Sequence, residues 1–194
     1  MPDLEDLVAN RAADAVVALA TLREVGMTKR AIAYRVKGGL WTRPHREVYV
    51  IGHLVTDPVR TSARAGLMAA PPGAAASHLL AAHLHRLEGL PTLRTPEVTV
   101  PATQCRRRIS GLVIHRSTTL EVVQRRGLAV TPVVRTIADL AGVVSFRELL
   151  CAADSALHKR LLTAAELSMF SRPGGSRPAG PPPSSAGSSS WPMA

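Results

Sequence analysis

The chain has 194 residues, 24 Lys and Arg against 14 Asp and Glu, a formal net charge of +10, and only 3% aromatic residues. That length suffices for one or two small domains with cores of Leu, Val, Ile and Ala, and the charge favours a polyanionic partner, nucleic acid ahead of an anionic membrane. No run approaches 18 apolar residues, so no transmembrane helix is expected.

The basic excess is mostly arginine, because Lys29, Lys37 and Lys159 are the only lysines. Coding bias in a GC-rich genome also enriches Arg, so charge alone moves the reading only modestly. Cys105 and Cys151 form no CxxC pair, which argues against structural zinc and leaves reduced thiols as the default. Asp3, Glu5 and Asp6 stand where a signal peptide would carry positive charge, so a cytoplasmic location is expected.

An α+β fold is expected, with a winged helix-turn-helix over residues 1–53, a mixed α+β domain over 54–170 and a disordered tail over 171–194. In the first stretch, Val16, Leu19, Ala20 and Leu22 predict a short helix that Gly26 ends. Thr28 is placed to cap the next helix, Lys29 to Lys37, and Gly38-Gly39 to end it. Two short helices joined through Val25-Gly26-Met27 have helix-turn-helix spacing. Leu40 to Arg43 and Val48 to Ile51 then read as a hairpin turning at Pro44 to Glu47, the position of a wing.

Further on, Pro58 to Ala70 reads as a helix, and Ser77 is placed to cap another through Leu87. Glu97 to Val100 and Leu112 to His115 read as paired strands around the basic loop Arg106-Arg107-Arg108. Thr131 to Ala141 and Ser145 to Lys159 read as helices, and Thr163 with Glu166 is a capping-box pattern. From Ser171 onward Pro, Gly and Ser fill 17 of 24 positions, too little apolar surface to offset chain entropy. The abrupt change after Phe170 fits two origins equally well, an ordinary flexible tail or sequence read out of frame.

On a helical wheel, Ile32, Ala33 and Val36 share the face expected to pack on the preceding helix. Arg30, Tyr34 and Lys37 follow i, i+4, i+7 spacing along an adjacent face, with Arg35 on the other flank. An apolar back with a basic front suits a major-groove reader, since Arg can bond guanine bidentately and Lys can neutralise phosphate. Val25 to Arg46 contains six Lys and Arg and no acidic residue. The expected DNA-binding set is Lys29, Arg30, Tyr34, Arg35 and Lys37 on the helix, with Arg43, His45 and Arg46 at the wing tip facing phosphates. An isolated basic helix is more often a solvated face; the hairpin that follows tips the balance. Trp41 and Tyr49 read as wing core.

The run VGMTKRAIAYRVKGGLWTRPHREVYVIG resembles the N-terminal domain of AbiEi-type antitoxins, and SHLLAAHLHRL, EVTVP, LVIHRS and LAVTPVVRTIADLA extend the resemblance over about residues 17–167. It implies double-stranded promoter DNA as a partner, repression of the chain's own operon, and a mixed domain that opposes a nucleotidyltransferase-like toxin. Similar proteins also carry this region ahead of a Vsr-like, PD-(D/E)XK endonuclease-type domain, so a truncated nuclease is the alternative. Such a site needs a carboxylate two residues before its lysine, whereas Met27, Arg35 and Leu157 precede the three lysines. Family members often have Pro-Gly in the wing turn where this chain has Arg46-Glu47.

No catalytic residue, metal site, cofactor or membrane partner is expected. His78, His83 and His85 lack HExxH spacing and read as packing or hydrogen-bonding residues. Arg106 to Arg108 reads as a solvated run that would otherwise meet phosphate or an acidic protein surface. Arg135 and Asp139 read as an i, i+4 ion pair. Cys105, beside the arginines, has nothing near it that suggests redox work.

Overall fold

The computed structural model describes residues 4–104 and 108–168. Among them run eight α-helices and eight strands in two sheets, a mixed α+β arrangement. Cys105, Arg106 and Arg107 and the expected disordered tail from Ser171 lie outside the described residues.

Helix α1 (Leu4–Arg11) leads into strand β1 (Val16–Ala18), and α2 (Leu19–Glu24) starts only after it. This corrects the expectation that Val16 lies in that helix. Asp14 and Ala15 carry φ of +50° and +66°, which breaks any helix there, and the β-branched pair Val16-Val17 docks on a later strand instead. Next come α3 (Lys29–Lys37), β2 (Trp41–His45) and β3 (Val48–Ile51). The three strands form an antiparallel sheet in the order β1-β3-β2, with Val16 opposite Val50 and Trp41 opposite Ile51.

Both faces of this sheet are covered, so β3 is apolar without alternation. Tyr49 and Ile51 join Val17, Leu22, Ile32 and Trp41 in the core under α2 and α3. Val48 and Val50 face the other way, with Val16 and Ala65. Ala65 belongs to α4 (Pro58–Ala69), which Asp57 caps by accepting from Arg60 N at 3.1 Å. The same helix contributes Ala63 to a cluster with Ala76, Leu80, Leu128 and Val130, so α4 lies between the two sheets.

Asp14 fastens this junction. Its Oδ1 accepts from Arg60 Nε and Nη2 at 2.9 and 2.6 Å, and its Oδ2 from Arg64 Nε and Nη2 at 3.1 and 3.0 Å. Thr61 Oγ1 donates to the Asp14 carbonyl at 2.8 Å.

The second sheet comprises β4 (Ala75–Ala76), β5 (Glu97–Pro101), β6 (Val113–Ser117), β7 (Val123–Arg125) and β8 (Leu128–Val130), in the order β6-β5-β4-β8-β7. The expected pair β5 and β6 is parallel, Glu97 opposite Val113 through Pro101 opposite Ser117. Helix α5 (His78–Leu84) stops short of Leu87 because Arg86 turns into the left-handed region at φ +61°. Ser77 does not cap it by its side chain, since its Oγ pairs with His78 Nδ1 at 3.0 Å.

Helices α6 (Val133–Leu140) and α7 (Phe146–His158) pack with α5 through Ala82, Ile137, Leu140, Ala152 and Ala156. A capping box of Ser145 and Glu148 opens α7. The expected pair Thr163 and Glu166 opens α8 (Ala164–Ser168), with Glu166 N donating to Thr163 Oγ1 at 3.3 Å. No described helix is long and apolar enough to cross a membrane.

Candidate nucleic-acid interface

Helix α3 begins and ends where its residue types dictate. Thr28 Oγ1 accepts from Ala31 N at 3.2 Å, satisfying one orphan donor of the first turn. At the other end Gly38 caps the helix and Gly39 adopts φ +73°, a conformation that glycine takes without strain. Ile32 is buried and Val36 half-buried, as the wheel requires, but Ala33 is exposed.

The outward face carries Lys29, Arg30, Ala33, Tyr34 and Lys37, all exposed, with Tyr34 at 72%. Among the described residues, Lys29, Arg30 and Lys37 make no ion pair. A solvated phenol thus lies between cations that have no ion-pair partner among the described residues.

Arg35 is committed elsewhere. Its Nε and Nη2 donate to Glu5 Oε1 at 3.2 and 2.8 Å, its Nη1 donates to the Ala31 carbonyl, and its guanidinium lies 5.6 Å from the Trp41 ring centroid. This corrects the expected placement of Arg35 as a free, outward cation: its guanidinium is held in contacts that join α1, α3 and β2.

His45 requires a second correction. The β2–β3 register slips between Thr42, opposite Val50, and His45, opposite Val48, so β2 carries one extra residue there. A bulge of this kind reverses which face the following side chain occupies. His45 is only 5% exposed, and its Nδ1 lies 3.0 Å from the Ser110 carbonyl oxygen. It anchors the hairpin to the β5–β6 connection instead of standing exposed at the wing tip. Arg43 stays exposed with its guanidinium 5.9 Å from the Tyr49 ring centroid. Arg46 is exposed at the turn, 3.8 Å from Glu47, whose φ is +63°. Trp41 and Tyr49 are buried in the core, matching their reading.

A second cluster was not legible in the sequence, because its members come from three elements. His78 of α5, Glu97 of β5 and His115 of β6 bring ligand-capable atoms within 4.8 Å of one another. The imidazoles stack with centroids 3.7 Å apart and planes 19° apart. Register explains the meeting: Thr99 pairs with His115 across the parallel strands, and Glu97, two residues before Thr99, shares its face.

Burial lowers the His78 pKa to about 3, helped by His115 and Arg135. Burial also lowers the His115 pKa, against an opposing pull from Asp139, and it raises that of Glu97. Arg135 and Asp139 do pair, at 2.7 Å. The remaining histidines expected to hydrogen-bond do so: His83 Nε2 meets the Pro91 carbonyl at 2.9 Å and His85 Nε2 the Thr131 carbonyl at 2.8 Å.

Comparison with protein-family models and with curated proteins found no match.

Proposed function

We propose that residues 4–51 form a winged helix-turn-helix that binds double-stranded DNA, with α3 in the major groove and the β2–β3 turn against the backbone. The order helix, strand, helix, helix, hairpin and the β1-β3-β2 sheet support this reading. The observation that carries it is the unpaired, exposed set Lys29, Arg30, Tyr34 and Lys37 beside Arg43 and Arg46.

Arg30 and Tyr34 reach base edges, while Lys29, Lys37, Arg43 and Arg46 neutralise phosphates. A protein built this way acts as a regulator of transcription, and the DNA upstream of its own coding sequence is the natural target. The mixed half of the chain is then the protein-binding half, for which a nucleotidyltransferase-like toxin is the partner proposed. What supports a partner there is the exposed apolar set Val143, Phe146 and Leu150 around the start of α7.

A gel shift at fixed salt, with the upstream DNA as probe and unrelated duplex as competitor, tests the DNA reading. Retention of the probe under a large excess of competitor is expected. Displacement by equal unrelated duplex would leave only non-specific attraction to a basic chain.

A further inference from the structure

The His78–Glu97–His115 cluster has no part in the proposed DNA contacts. We propose that it is a binding site for a divalent transition cation of the zinc type, held by ring nitrogens of His78 and His115 and a carboxylate oxygen of Glu97.

Two of the three donors are already positioned by a hydrogen-bonding neighbour, and all three keep an atom in reserve. His78 Nδ1 is engaged by Ser77 Oγ at 3.0 Å, leaving Nε2. Glu97 Oε2 accepts from Leu79 N at 3.2 Å, leaving Oε1. His115 Nε2 is buried with no hydrogen-bond partner at all. Such orienting contacts on the far side of a ligand are how proteins fix imidazole and carboxylate donors around a metal.

Two further orphans lie in the same region: Thr99 Oγ1, in register with His115, and Asp139 Oδ2. Buried polar atoms are seldom left unpaired without a reason, and a cation with bound water would satisfy this group.

Charge and distance agree. Glu97 and Asp139 bring two carboxylates against the single guanidinium of Arg135, which takes the other oxygen of Asp139, so one negative charge remains for a cation to meet. Tetrahedral zinc with bonds near 2.0–2.1 Å spaces its ligand atoms by about 3.4 Å. The 4.8 Å limit on the present donors therefore closes with side-chain shifts of about an ångström. His78 also holds φ +51° at the first turn of α5, a strained conformation of the sort found at functional sites. Three protein ligands leave the fourth position to water or a substrate.

The test uses the full chain, stripped with chelator and titrated with Zn²⁺ by calorimetry, with Co²⁺ absorption as a second probe. One equivalent should bind, and the Co²⁺ spectrum should lack a thiolate charge-transfer band. Ser77→Ala should weaken binding by roughly 10–100-fold, as removal of an orienting partner does, and His115→Asn and Glu97→Gln by more. Should a variant fail to fold, imidazole NMR of the unmodified protein decides: Zn²⁺ must move the His78 and His115 resonances. No uptake, equal uptake by the folded variants, a thiolate band, or shifts confined to other histidines would each overturn the site.

Discussion

Arg35 and Glu5 form a fork in which Nε and Nη2 of the guanidinium both donate to one carboxylate oxygen, at 3.2 and 2.8 Å. The pair ties helix α3 to α1, and Trp41 supports the same guanidinium from β2. Arg35 thus divides the basic residues of α3 into one that orients the helix and three that face outward.

Arg35→Ala should therefore cost stability more than affinity. A partly exposed ion pair contributes about 0.2–1 kcal/mol and the aromatic contact about 0.5–1 kcal/mol, so thermal unfolding should report a loss of about 1 kcal/mol. Affinity for DNA, measured well below the unfolding midpoint, should fall less than in Arg30→Ala. A larger affinity loss for Arg35→Ala would return it to the DNA-contacting set.

Glu47 carries two costs at once. It holds φ +63° in the turn, which for a residue with a Cβ costs about 1–2 kcal/mol, and it sets a carboxylate beside Arg46 at the proposed phosphate contact. Glu47→Gly should raise the unfolding midpoint and tighten DNA binding together. The backbone bond from Leu19 N to the Glu47 carbonyl, 2.8 Å, does not depend on the side chain. Weaker binding by a stabilised Glu47→Gly would show that the carboxylate does not oppose the complex.

Stability should fall with acid in the His85 range. Burial lowers its pKa below 6.5, outweighing the Thr131 carbonyl that favours the charged form, and Arg125 lowers it further. A depressed pKa means that the unfolded chain takes up the proton first. The contribution is complete above the unfolded value of 6.5 and is lost as pH falls from there through the folded pKa. His85→Gln keeps a donor for Thr131 and has no proton to gain. Its unfolding midpoint should drop less than that of the unmodified chain across the same acid range. Parallel curves would assign the acid sensitivity to other groups.

Much of the candidate interface could be read from the sequence because its signals are local. Thr28, Gly38 and Gly39 mark α3 within a few residues, and the β-prone Trp41 and Val48 segments flank a short run of turn residues. What escaped depends on distant pairing. β1 has three residues and exists only against β3, and β4 has two and exists only between β5 and β8. The inward turn of His45 follows from one extra residue in a register, which no local pattern announces. The commitment of Arg35 required knowing that α1 brings Glu5 to it. His78, Glu97 and His115 show no spacing rule, because the parallel register of β5 and β6 assembles them.

DNA binding by α3 is tested most directly by the salt dependence of affinity for the upstream duplex, comparing the unmodified chain with a triple variant, Arg30→Ala, Tyr34→Ala and Lys37→Ala. All three side chains are exposed, so the variant should keep its unfolding midpoint. Removing one cation from a phosphate should reduce the slope of log affinity against log salt by about 0.9, and removing a base-reading residue should cost about 1–3 kcal/mol. If α3 reads DNA, the variant has a shallower slope and no remaining preference for the upstream duplex over unrelated DNA. Equal slope and equal preference in both proteins would contradict it.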